Sequence, residues 1–255
     1  MKMNLKKLIA LSLFVPTVSF ATIVEFQTSH GNFQVNLHDQ ATPKTVENFL
    51  KYVTDDRYDD TFIHRVVTDF VAQGGGHYFD GENIKNIETY ASVQNEPVYS
   101  NVKGTIAMAK LNNQPNSATS QWYVNLKDNT SLDTSNGGFT VFGEVIGDGM
   151  TVLEEIANLS RCGEIPMPNY SSSDCSAGTK PGVENFVNIY DVIIIDDAAN
   201  TADSLSPVKN TAINAGGGDT PDNSSGGGGG TLWYLLGLTA LSLPLRMKKL
   251  VGKRV

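Results

Sequence analysis

Apolar residues in this chain alternate over short runs and break repeatedly at turn-forming residues, and that period of two limits what the chain can become. Val24 and Phe26, then Phe33, Val35 and Leu37, flank the stretch Ser29-His30-Gly31-Asn32, which predicts a β-hairpin. Residues 58–73 predict strand, turn and strand, broken at Thr68-Asp69. From Gly74 to Asn101 the pattern weakens to loops with at most one helical turn. Strand signals return over 104–109, 121–126, 139–145 and 187–196. Only two stretches have a helical period. One starts with Thr42 as N-cap and Pro43 in the first helical position, and sets Val46, Phe49, Leu50 and Val53 on one face. The other covers 150–159, with Met150, Leu153, Ile156 and Ala157 together. Many short strands with two helices favour a closed barrel or a sandwich over a parallel βαβ sheet.

Both ends of the chain read as addresses rather than fold. Residues 1–21 carry Lys2, Lys6 and Lys7, an apolar run, and Ser19-Phe20-Ala21, the pattern of a secretory signal cut after Ala21. Residues 22–198 form one domain. Residues 199–230 are a flexible linker, ending in GGGDTPDNSSGGGGG. The apolar segment 231–245 is short for a bilayer core, which needs about 17–25 residues. Arg246, Lys248, Lys249, Lys253 and Arg254 follow it, as a positive-inside end would. This tail, 231–255, resembles the GlyGly C-terminal sorting signal of bacterial envelope proteins, which implies a rhomboid-type sorting protease as partner. A plain membrane anchor through a transmembrane helix is the alternative. Either way the chain is expected to be exported, to the periplasm or the cell surface.

Between those ends stand 11 Lys and Arg against 27 Asp and Glu, a balance of −16. Such a body repels phosphate backbones, which excludes nucleic acid as a partner. Cys162 and Cys175 flank a loop rich in Pro, Ser and Asn, and in an exported chain they read as a disulfide. On the loop-entropy model that closure contributes roughly 3 kcal/mol. A catalytic cysteine is a poorer reading, because neither has a histidine near it in sequence. His30, His38, His64 and His77 show no metal-ligand spacing, so neither a metal nor another cofactor is expected.

The stretch FIHRVVTDFVAQGGG, from Phe62 to Gly76, puts a guanidinium in an apolar run. Taken alone, Arg65 would be a surface residue on the polar face of a strand, and the aromatic residues downstream would be core. Three segments change that reading: Ile63 to Gly75, Ser117 to Tyr123, and Val141 to Val145. In type, order and spacing they resemble the cyclophilin family of peptidyl-prolyl isomerases, over about Thr22 to Asp197. The resemblance implies a mainly β fold: a closed eight-stranded antiparallel β-barrel capped by two α-helices, most often monomeric. It implies Arg65 as the catalytic arginine. Phe70, Val71, Tyr123, Leu132 and Phe139 would line a proline pocket. Gln73 and Gln121 would flank the site, and Ala109 and Lys110 would form the edge that holds the substrate backbone. The substrates would be proline-containing polypeptides, and the service would be help with their folding.

The chemistry suits those residue types. An X–Pro bond turns slowly because partial double-bond character gives a barrier of about 18–20 kcal/mol. Lowering it needs neither nucleophile nor metal, only a fixed donor that favours the twisted amide over both planar forms. Arginine is always charged and presents a rigid fork of donors. Gln73 can hold that fork still. His64 is read as structural, since twisting an amide moves no proton, and the three glycines lack the Lys-Ser/Thr of a phosphate loop. Some positions depart from the family pattern. Phe139 replaces a pocket histidine, Ser131 replaces a tryptophan (which implies weak inhibition by cyclosporin), and Val71 replaces a methionine. Lys110 and Leu111 replace Asn and Ala, adding charge and bulk on the backbone-binding edge. Those last two keep open a second class of function, a binding module that holds proline segments without turnover. The insertion 161–182 is expected to add a contact surface.

Overall fold

The computed structural model describes residues 22–198 and 201–213. The expected signal segment 1–21, most of the linker, and the tail 231–255 lie outside the described residues. Among those described, no helix is long and apolar enough to cross a membrane.

The hairpin comes first, as β1 (Ile23–Thr28) and β2 (Phe33–Leu37). Val24 faces Val35 and Phe26 faces Phe33, whose rings stack at 4.5 Å. Helix α1 (Pro43–Thr54) starts with proline where a backbone N–H has no partner to lose. Thr42 occupies the N-cap, but its hydroxyl donates to the His38 carbonyl instead of capping. The buried face of α1 is Thr45, Val46, Phe49, Tyr52 and Val53, and Leu50 only packs at its margin.

Next come β3 (Thr61–Phe62), β4 (Arg65–Val67), β5 (Val71–Gly74), β6 (His77–Phe79) and β7 (Ile84–Asn86). The β6–β7 hairpin stands where loops and a helical turn were expected. Both strands lie largely in solvent, so no face was required to be apolar and no period was written. Strands β8 (Thr105–Met108), β9 (Trp122–Asn125) and β10 (Val141–Ile146) follow, then α2 (Gly149–Ala157). The insertion holds a small hairpin, β11 (Arg161–Cys162) and β12 (Ile165–Pro166), and a third helix, α3 (Ser172–Ala177). Strand β13 (Asn188–Asp196) returns beside β1.

The main sheet has 11 strands in the order β4-β5-β9-β8-β10-β2-β1-β13-β3-β6-β7. It is a curled, mainly antiparallel sheet with few helices, and its ladder does not draw a closed eight-stranded barrel with two helices. The reason lies at Ile63-His64, which separate β3 from β4. The Ile63 amide donates to Val187 beside β13, while the His64 amide donates to Gln73 in β5. One extended segment therefore changes partner midway, and the ladder starts and restarts there. The core sits inside the curl, built on Phe26, Phe33, Phe49, Trp122 and Phe142 among others.

Residues 201–213, inside the stretch expected as linker, are laid against the body. Lys209 bridges to Tyr99, the Ser100 amide donates to Val208, and the Asn210 side chain donates to the Asp133 carbonyl at 2.8 Å. No apolar pattern marks this segment, because its attachment runs through main-chain and amide groups.

Candidate active site

Strand β5 pairs with β4 on one side and β9 on the other. The register sets Arg65 opposite Gln73, Gln73 opposite Tyr123, and Tyr123 opposite Ala107. Cross-strand partners share a face, so these four side chains form one row. The row beside it, Val66, Ala72, Val124 and Ile106, points the other way and belongs to the core. The outer row is therefore the site's scaffold, and the core face of the sheet has no part in it.

Arg65 is held at two nitrogens. Nη1 donates to Gln73 Oε1 at 3.1 Å, and Nε donates to Glu164 Oε2 at 2.7 Å. Gln73 Nε2 in turn donates to Gln121 Oε1 at 2.8 Å. Nη2 is sealed and meets no acceptor in the protein. Only 8% of Arg65 is exposed. A charge this sheltered is costly unless paired, and the two anchors supply the pairing.

Beside the arginine lies a second apolar cluster, separate from the core: Val71, Ala107, Ala109, Tyr123, Leu132, Phe139 and Val141, with Phe70 packed on it. It gathers every residue assigned to the proline pocket, together with Ala109 from the edge. The Tyr123 and Phe139 rings meet edge to face at 6.1 Å. Tyr123 is fully buried, and its hydroxyl donates to Asn101 Oδ1 at 2.8 Å. Burial pushes that phenol well above its usual pKa.

A polar net supports the cluster from behind. The Asn101 backbone and side-chain amides both donate to Asp133 Oδ1, at 2.7 and 3.0 Å, and Ser100 donates to its other oxygen. Asp133 fixes the turn that presents Leu132. The Asn129 side chain donates to the Phe70 carbonyl at 2.9 Å and to Asn125 at 2.8 Å, which sets the backbone under Phe70. Sequence reasoning missed Asn101, Asn129 and Asp133. The two at turn spacing around Leu132 could have been found as turn formers, but Asn101 gives no sign.

Lys110 departs from its expected place. It is only 3% exposed, and its charge is turned inward rather than presented on the edge. Nζ donates to the Asn136 and Gly138 carbonyls at 2.9 and 2.5 Å and lies 4.6 Å from the centre of the Phe139 ring. Burial lowers its pKa to about 8. The side chain braces the loop behind Phe139. Leu111 is half-buried, and its amide is capped by Ser117.

His64 keeps some surface, but its Nδ1 is sealed and the His77 ring stands 4.5 Å away. Burial first, then His77 and Arg65, push its pKa well below the usual value, so it stays neutral. The three glycines have a packing cause. A Cβ on Gly74 or Gly75 would meet the Trp122 indole at 2.7 Å, and one on Gly76 would meet the Gln121 side chain at 2.6 Å. Cys162 and Cys175 are joined as a disulfide. Among the described residues no cluster of three or more His, Cys, Asp or Glu could hold a metal ion.

The curled antiparallel sheet thus carries an anchored arginine beside an apolar cluster on its outer face. The family model for "Cyclophilin type peptidyl-prolyl cis-trans isomerase/CLD" matches residues 23–176, and the chain belongs to that family. A peptidyl-prolyl cis-trans isomerase of Acinetobacter baylyi is 42% identical over 142 residues, 54% of this chain and 73% of that protein. The isomerase cyp18 of Streptomyces antibioticus is 44% identical over 140 residues, 52% of this chain and 81% of that one. A crystal structure of a Cryptosporidium parvum cyclophilin type isomerase has a TM-score of 0.50 at 20% identity, covering 69% of this chain and 98% of its own; the likeness is one of fold.

Proposed function

We infer that this protein is a peptidyl-prolyl cis-trans isomerase, with Arg65 as the residue that acts on the X–Pro bond. The observation that carries this is the outer row: a guanidinium anchored at Nε and Nη1 beside a separate apolar cluster. The pyrrolidine ring is gripped on that cluster, against Phe70, Leu132 and Phe139, while the preceding residue rotates. The anchored guanidinium favours the twisted amide, whose nitrogen regains a lone pair. Gln73 and Gln121 keep the donor aimed, and Ala109 presents the edge along which the substrate backbone lies. Lys110 serves the pocket by bracing its wall.

The test is cis-to-trans isomerisation of a short Ala-Pro or Leu-Pro peptide, with Arg65→Ala alongside. Removing one such donor costs on the order of 10²–10³ in rate, with peptide binding retained. Wild-type protein that binds the peptide but does not accelerate rotation would overturn the reading.

The reading extends to shape and place. The two-residue joint at Ile63-His64, hydrogen-bonded to Val187 beside β13 and to Gln73 in β5, supports a barrel closed through that segment. The basic start and apolar run of 1–21 support export with cleavage after Ala21, to the periplasm or cell surface. The Gly-rich stretch and basic end support sorting of the tail by a protease. Its clients would then be exported polypeptides, with the isomerase working as a monomer. Intact-mass measurement of the protein recovered from cells tests both cuts, and a mass that retains residues 1–21 removes the export signal from the reading.

A further inference from the structure

The contact between Arg65 and Glu164 spans 99 residues and comes from the insertion. We propose that Glu164 is a positioning residue for Arg65, and that the Cys162–Cys175 disulfide governs turnover through it. The proposal rests on Arg65 being the acting residue.

Glu164 grips β4 twice. Its carboxylate accepts from Arg65 Nε at 2.7 Å, and its own carbonyl accepts from the Val66 amide at 2.7 Å. The other edge of β4 is already paired with β5, so Glu164 takes the remaining edge. The two anchors of Arg65 lie on different nitrogens. With Gln73 alone, the guanidinium can pivot about that one hydrogen bond. With Glu164 on Nε as well, its plane is fixed and Nη2 is the nitrogen left uncommitted. A planar, charged fork makes this two-point hold possible, and small losses of aim are costly in rate.

The hairpin that carries Glu164 could not hold it unaided. Strands β11 and β12 share only two paired positions, Arg161 with Pro166 and Cys162 with Ile165. Glu164 sits in the two-residue turn between them, after Gly163 at φ +63°. A two-stranded ribbon of this size is not stable in water. Two things support it. Ile165 and Cys162 pack on Phe62, Met167 and Phe186, and the disulfide ties Cys162 to α3. Helix α3 is itself closed by a reciprocal cap between Ser171 and Asp174. Cutting the disulfide frees the strand that leads into Glu164. A dithiol reductant does this by taking the bridge's place: it becomes a disulfide, and Cys162 and Cys175 each gain an electron and a proton.

The experiment measures kcat and KM for peptide isomerisation with the whole protein. The variants are Glu164→Ala, Glu164→Gln, Cys162→Ser with Cys175→Ser, and the combination of Glu164→Ala with both serines. Glu164→Ala is expected to lower kcat about tenfold with KM within about twofold. Glu164→Gln should recover part of the loss, since its amide oxygen still accepts from Nε. The serine pair should lower kcat several-fold, as should reduction of the wild type, and should add nothing once Glu164 is alanine. That last non-additivity is what a role in stability alone does not produce. Unchanged or raised kcat in Glu164→Ala overturns the proposal, as does a serine effect that persists in the alanine background. Should Glu164→Ala fail to fold, Glu164→Gln carries the same test against the wild type. An inactive wild type would instead remove the isomerase reading beneath it.

Discussion

On the inner face of β4, β5, β9 and β8 stand Val66, Ala72, Val124 and Ile106; on the outer face of the same strands, one position away, stand Arg65, Gln73, Tyr123 and Ala107. The inner row joins the apolar core. The outer row touches specific atoms: Gln73 on Arg65, Gln121 on Gln73, Asn101 on Tyr123. Burial of apolar area is non-directional, so an inner residue is judged by volume and fit. A hydrogen bond is directional, so an outer residue is judged by where it aims. The comparison teaches that this domain separates stability from aim by using the two faces of one sheet. The same backbone serves both, which is why the aim is rigid.

The largest test breaks the inner face. Trp122 is fully buried and meets Phe26 edge-on at 4.9 Å. Trp122→Ala is expected to cost about 3–5 kcal/mol of stability by denaturant unfolding. Turnover per folded molecule should change little beside that of Arg65→Ala. If turnover fell as far as in Arg65→Ala while the fold held, the division between the faces would be lost.

A second test uses charge. Burial lowers His38 to about 4, and it also lowers His64 and His77. His38 Nε2 lies 3.5 Å from Glu144 Oε1, a geometry that invites an ion pair. Burial also raises the Glu144 carboxyl, so the two facing groups disfavour charge together and His38 is held as neutral imidazole. Between pH 6.5 and 4 the unfolded chain therefore binds protons that the folded one refuses. Stability is full above pH 6.5 and falls as the pH drops toward 4, by at most about 3 kcal/mol for His38. Asp59, raised to about 6 mainly by burial and Asp191, works against that loss, but it is not sealed and counts for less. Unfolding at pH 7.5 and 5 should show the loss, and His38→Gln should reduce it. Stability that holds or rises on acidification would mean these sites accept charge as Arg65 does.

Much of this was legible in sequence because period and spacing are local. The β1–β2 hairpin, α1 and most strands follow from periodicity, and Gln73 beside Arg65 was implied by the family resemblance. What was not legible is long-range or unpatterned. Glu164 reaches Arg65 from an insertion with no apolar signature. Helix α3 reads SSDCSA and buries none of its side chains. Lys110 looked like an exposed charge, since nothing in the sequence shows that the carbonyls of Asn136 and Gly138 lie within its reach. The attachment of 201–213 runs through main-chain and amide groups, which leave no apolar pattern.

The smallest effect sharpens the comparison most. Tyr123 belongs to the outer row but is fully buried, so it is the residue where the two kinds of role meet. Its ring packs in the apolar cluster, and its hydroxyl turns away to Asn101. Tyr123→Phe keeps the ring and removes the hydroxyl. Asn101 Oδ1 retains only a long contact from Asn125 at 3.4 Å, so the loss should be about 1 kcal/mol of stability. Turnover should stay within about twofold, because the ring face toward the cluster is unchanged. A tenfold fall in kcat with stability intact would mean that the hydroxyl acts on the substrate and that Tyr123 is an aimed group. A loss of stability with turnover intact would place the ring with the pocket and the hydroxyl with the net behind it, so that the boundary between stability and aim runs through a single side chain.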